Sequence, residues 1–129
     1  MKILIAYDKN MSTAKVMDEA LLRAKKLGAY VYLVRTCSSD IKQLELNQME
    51  SQMEELGREV FKKNDVTYET HILIRGLDAG EDIVKYAREK EIDEIIIGIK
   101  KKSKVEKLVF GSTAQYVILE AHCPVLSVK

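Results

Sequence analysis

The sequence predicts an α/β protein: a five-stranded parallel open sheet, doubly wound, with helices on both faces. Three observations predict it. Short apolar runs alternate with stretches of helical spacing in the order β-α-β-α-β-α-β-α-β, a pattern that gives parallel strands joined by right-handed crossovers. Glycines and capping pairs stand where one kind of stretch gives way to the other. The 129 residues are 47% hydrophobic and 32% charged, which suits one domain over residues 1–129 with a packed core and argues against disorder.

Each element follows from its own residues. Ile3-Leu4-Ile5-Ala6-Tyr7 is a continuous apolar run closed by Asp8, as expected of a strand buried on both faces. Val16, Ala20, Ala24 and Leu27 then keep helical spacing, and Gly28 supplies a left-handed residue to end the helix. Tyr30 to Val34 is a second strand, rich in β-branched and aromatic residues. Asp40 with Gln43 has the spacing of a capping box and opens a long helix to Lys63, whose stripe is Met49, Met53, Leu56 and Val60. Such a methionine stripe reads as core packing. Thr67 to Ile74 is more polar and suits a strand near the sheet edge. Gly76 breaks the pattern, and Asp78 with Glu81 forms a second capping box before a helix that packs Ile83, Val84 and Ala87. Ile95-Ile96-Ile97 is the most apolar strand and ends at Gly98. A lysine-rich loop from Lys100 to Lys107 follows, then a helix from Gly111-Ser112 carrying Ala114, Val117, Ile118 and Ala121. Pro124 begins the closing strand Val125 to Val128, where its missing N–H does no harm.

Composition narrows the function. A net charge of +1 gives no general attraction to nucleic acid or to an anionic membrane. No apolar run reaches the roughly 18 residues of a membrane span, and the apolar start is too short for a secretory leader. Cys37 and Cys123 form no CxxC pair, so reduced thiols and a cytoplasmic setting are expected. His71 and His122 have no partners at metal-ligand spacing, and no nucleophile elbow or paired carboxylates appear. Asp8 could serve as a general base, but nothing orients a nucleophile for it. No metal site and no catalytic residue are therefore expected.

Open sheets of this kind bind ligands beyond the carboxyl ends of the strands, where the strand order reverses. With strand order 3-2-1-4-5 that crevice lies between the first and fourth strands, at Asp8 to Ser12 and Gly98 to Ser112. Gly98 would let backbone approach a ligand with no Cβ in the way. Gly111-Ser112 sits at a helix start, where unpaired N–H groups favour an anion. The Ser112 hydroxyl either contacts a phosphate or caps the helix with Gln115.

Gly76-Leu77-Asp78, Ile92 to Gly98, Val109 to Ala114 and Ala121 to Val128 together resemble the universal stress protein family. So do Ile3 to Asp8 and Leu27-Gly28-Ala29, in matching order across nearly the whole chain. The resemblance implies a Rossmann-like fold, akin to the adenine nucleotide alpha hydrolases. It also implies ATP, with Mg²⁺, bound through a Gly-x2-Gly-x9-Gly-[Ser/Thr] motif. Here the first glycine is Gly98 and the last pair is Gly111-Ser112, but Lys101 holds the place of the second glycine. The resemblance further implies Asp8 near the adenosine end, Thr36 beside the base, Ile97 against the ligand and Thr113 supplying a backbone N–H. Lys101 leaves two outcomes open. The lysine closes the site, giving a dimeric adaptor without nucleotide, or its ammonium meets the phosphates. Slow ATP hydrolysis is a third reading. Lys101-Lys102-Ser103-Lys104 also resembles a loop of class I tRNA synthetases, but their His-x-Gly-His partner is absent.

The last strand, as the outer one, leaves a row of backbone groups unpaired. Pairing with a second copy through Pro124 to Lys129 would satisfy it, and the resemblance implies the same homodimer. The polar face of the long second helix is a possible partner surface, more simply solvated. The expected function is a nucleotide-binding stress-response or signalling module with little or no turnover.

Overall fold

Five parallel strands carry the architecture, and the inner ones are apolar runs buried on both faces. The computed structural model describes residues 1–9, 11–99, 101–102, 107–108 and 111–129, with backbone alone at 101–102 and 107–108. In chain order the elements are β1 (Lys2–Ala6), α1 (Thr13–Leu27), β2 (Tyr30–Thr36), α2 (Gln43–Val60), a short 3-10 turn (Lys62–Asn64), β3 (Tyr68–Leu73), α3 (Ala79–Glu89), β4 (Glu94–Gly98), β5 (Lys101–Lys102), β6 (Lys107–Leu108), α4 (Ser112–Glu120) and β7 (Val125–Val128). The sheet order is β3-β2-β1-β4-β7, the predicted 3-2-1-4-5 counted over the five long strands. β1 lies at the centre, pairing Ile5 with Leu33 of β2 on one side and with Ile96 of β4 on the other.

Alternation along β1 splits the core in two. Ile3 and Ile5 face a cluster with Val16, Met17 and Ala20 of α1 and Met53 of α2. Leu4 and Ala6 face Ile83, Val84 and Ala87 of α3 and Val117 of α4. Both faces of the sheet are therefore covered, which is why the inner strands β1 and β4 carry no polar alternation. β3 and β7 are the outer strands, and β3 is half-buried along most of its length, as its polar sequence predicts. Among the described residues no helix is long and apolar enough to cross a membrane.

Several local expectations hold and several do not. Gly28 ends α1 at φ 60°, and the neighbouring Ala29 N–H reaches Ala24 O at 2.9 Å. Asp40 does not cap α2: the helix starts at Gln43 after an extended Lys42, and the Asp40 carboxylate accepts from the Ser38 hydroxyl instead. The long helix thus runs from Gln43 to Val60, not from Asp40 to Lys63. Asp78 does occupy the cap position of α3, but through its backbone, its carbonyl accepting from Asp82 N–H at 2.9 Å. Leu27 and Ile118 are exposed rather than core residues, and Ala121 follows the end of α4. Within the lysine-rich stretch, β5 and β6 form a small antiparallel ladder pairing Lys101 with Leu108, whereas a plain loop was expected. Lys100 and residues 103–106 lie outside the described residues.

Gly57 has a role that no local pattern reveals. A Cβ there would stand 2.2 Å from Cε2 of Tyr68, so its bare backbone lets α2 lie directly on β3. At the amino end of β4, Arg23 on α1 clasps the buried Glu94 with Nε–Oε1 at 2.5 Å and Nη2–Oε2 at 2.6 Å. This pair ties the base of α1 to the sheet and leaves the carboxyl ends of the strands free to build a site.

Candidate functional site

β1 and β4 are neighbours whose following segments leave on opposite faces of the sheet. After β1 the chain turns, with Tyr7 N–H donating to Val34 O at 2.7 Å and Met11 N–H to Asp8 O at 3.1 Å, and enters α1. After β4, Ile99 N–H donates to Val128 O at 2.7 Å before the chain proceeds towards α4. The divergence opens a crevice of about 520 Å³, within the range of ligand pockets. Asp8, Thr36, Ile97, Gly98, Gly111, Ser112 and Thr113 all line it. Of the predicted site residues, Lys101 is described by its backbone alone, in β5, so its side chain lies outside the described residues.

The helix start differs from one of the two sequence readings. Gly111, not Ser112, is the cap residue of α4, extended at φ −64° and ψ 161°, and its carbonyl accepts from Gln115 N–H at 3.0 Å. Ser112 is the first helical residue. The N–H groups of Ser112, Thr113 and Ala114 precede the first intrahelical donor, so helix geometry gives them no partner within α4. Three amides and the positive end of the helix dipole therefore stand at one wall of the crevice.

Gly98 is required for a reason other than the one expected. A Cβ there would stand 2.6 Å from Met11 Cβ and 3.0 Å from Val16 Cγ2. The position is bare because the start of α1 packs onto it, and that packing brings Met11 into the crevice wall. Gly111 has nothing within 4 Å of an added Cβ among the described residues.

The remaining walls come from residues that sequence reasoning did not single out. Ala79 and Ile83 of α3 and Ala114 of α4 also line the crevice. These helices approach closely at Gly80, where a Cβ would stand 2.8 Å from Tyr116 Cβ. Tyr7, Lys9 and Arg35 line it as well, and the Arg35 guanidinium carbon lies 5.3 Å from the Tyr7 ring centroid. The available signal for Lys9 and Arg35 was adjacency, since each neighbours a predicted site residue at a strand end. Cys37, next along from Thr36, is half-buried, and burial pushes its thiol pKa up. His122 meets Ile92 O at 3.0 Å, and His71 has Glu69 at 3.1 Å, a neighbour overlooked in the sequence. Among the described residues no three His, Cys, Asp or Glu side chains are grouped to hold a metal ion.

A parallel sheet in the order β3-β2-β1-β4-β7, helices on both faces and a crevice at its switch point define a doubly wound α/β domain. The chain belongs to the universal stress protein family, matching it over residues 1–129. It is 33% identical to a universal stress protein from Archaeoglobus fulgidus, with a TM-score of 0.86 over 100% of this chain and 98% of that one. A structure of the universal stress protein from Archaeoglobus fulgidus in complex with dAMP is 30% identical, with a TM-score of 0.83 and the same coverage. Universal stress protein MJ0531 of Methanocaldococcus jannaschii is 44% identical over 57 residues, 44% of this chain and 33% of its own length. The matched stretches span 33% to 47% of the lengths of the curated relatives.

Proposed function

We propose that the crevice binds an adenine nucleotide, ATP with Mg²⁺, and that the protein is a cytoplasmic stress-response or signalling module with little or no turnover. One observation carries the reading: the amide-bearing start of α4 and the strand-end residues Asp8 and Thr36 line the same cavity. Phosphates at Gly111 to Thr113 would meet the three amides that have no partner within α4, with the adenosine towards Asp8, the base beside Thr36 and Ile97 against it. The dAMP complex of the Archaeoglobus fulgidus relative supports the same ligand class. Mg²⁺ would arrive with the triphosphate, since it keeps waters and binds through phosphates and few protein oxygens. Calorimetry with ATP and Mg²⁺ tests the proposal. Heat of binding with a Kd of about 10 μM or tighter is expected, and no heat at about 0.1 mM protein refutes it.

Lys101 favours a second reading, a dimeric adaptor that holds no nucleotide. Lys101→Gly separates the two: binding that appears only in the variant supports the adaptor, and binding that weakens supports a phosphate-gripping ammonium.

The assembly is a homodimer through the segment Pro124 to Lys129. β7 is an outer strand, and its Val125, Leu126 and Val128 are half-buried. Pairing with a second β7 would satisfy its open edge. Light scattering at micromolar concentration should give twice the 14.7 kDa chain mass; a monomer mass rejects this.

A further inference from the structure

Arg23 and Arg75 each clasp carboxylates, Arg23 with Glu94 and Arg75 with Asp82 and Glu89. Arg35 differs. It is half-buried, and among the described residues it has no carboxylate within ion-pair distance. Its guanidinium lies over the Tyr7 ring, a contact that uses the face of the group and leaves its in-plane N–H donors for another acceptor.

Arg35 also stands where two hollows meet. A second cavity of about 590 Å³ lies between α2 and the ends of β1 and β2, and Tyr7, Lys9 and Arg35 line both it and the crevice. A nucleotide with phosphates at Gly111 to Thr113 and its base beside Thr36 leaves Lys9 and Arg35 at the nucleoside end with no phosphate to meet. Resting on the nucleotide reading, we infer that Arg35 and Lys9 form a second anion subsite, so that the site prefers adenine nucleotides carrying a further phosphate on the ribose. Asp8 lines the crevice, and Glu55 and Glu59 line the second cavity. Selection therefore comes from the planar fork of Arg35 rather than from a broad positive field.

The test is calorimetry with AMP, adenosine 3′,5′-bisphosphate and adenosine 2′,5′-bisphosphate on the wild-type chain and on Arg35→Gln. At least one bisphosphate should bind the wild type about tenfold or more tighter than AMP, and Arg35→Gln should bring that ratio close to one. Arg35→Lys, which keeps the charge and loses the fork, should also lose most of it and serves if the glutamine variant does not fold. AMP binding with a smaller preference, or a preference that survives both substitutions, overturns the inference and leaves the nucleotide reading standing. If AMP, ATP and both bisphosphates all fail to bind at about 1 mM, the nucleotide reading falls and takes this inference with it.

Discussion

Replacing Gly111 by valine tests the ligand reading at its most exposed point. The backbone there, φ −64° and ψ 161°, is open to any residue, and nothing among the described residues lies within 4 Å of an added Cβ. Valine caps a helix less well than glycine, so the fold should lose about 1 kcal/mol, a fall in Tm of roughly 3–5 °C for a domain of this size. Binding should suffer far more. The isopropyl group would stand at the crevice wall beside the amides of Ser112 to Ala114. Hydrogen bonds to charged groups are worth about 1.5–3 kcal/mol each, so losing two of them lowers affinity by roughly 10² to 10⁴. Thermal melting monitored by circular dichroism, paired with calorimetry against ATP and Mg²⁺, separates the two effects. Wild-type affinity within about threefold in a folded variant would refute the placement of phosphates at α4.

Two further predictions concern the scaffold. In Gly57→Ala the new Cβ meets the Tyr68 ring at 2.2 Å, an overpacking cost of about 1–3 kcal/mol that outweighs the 0.5–1 kcal/mol of helix propensity gained, roughly. Chemical denaturation should show a lower midpoint; an unchanged or raised midpoint would mean that Tyr68 swings aside freely. Burial pushes the Tyr86 hydroxyl up to about 12 from an ordinary 10. The unfolded chain therefore ionises first as pH rises, and stability should fall progressively between pH 10 and pH 12. Tyr86→Phe should reduce that slope without abolishing it, because burial also raises Tyr32 and Tyr68; an identical slope in the variant would reject the assignment.

Much of the fold was legible because strand burial and helix spacing are written into short windows. The run Ile3 to Ala6 is apolar at every position because both its faces are covered, and the polar Tyr68 to Leu73 sits at an edge. Boundaries were less legible. The spacing of Asp40 and Gln43 fits a capping box, yet the Asp40 carboxylate accepts from Ser38 and the helix begins at Gln43 after an extended Lys42. Leu27 keeps the helical stripe of α1 but, as its last residue, lies exposed at the helix end.

The crevice divides along the same line. Sequence alone determined that Asp8, Gly98 and Gly111 to Thr113 would fall at strand ends and a helix start, because those places are set by local pattern and chain order. Tertiary structure decided what closes the crevice. Ala79 and Ile83 arrive from α3 because Gly80 admits Tyr116, and Met11 arrives because Gly98 admits α1. Arg35 comes to lie on Tyr7 because β1 and β2 pair in a register that brings their ends together. Such contacts join residues far apart in the chain, and no spacing within a window records how closely two backbones will approach.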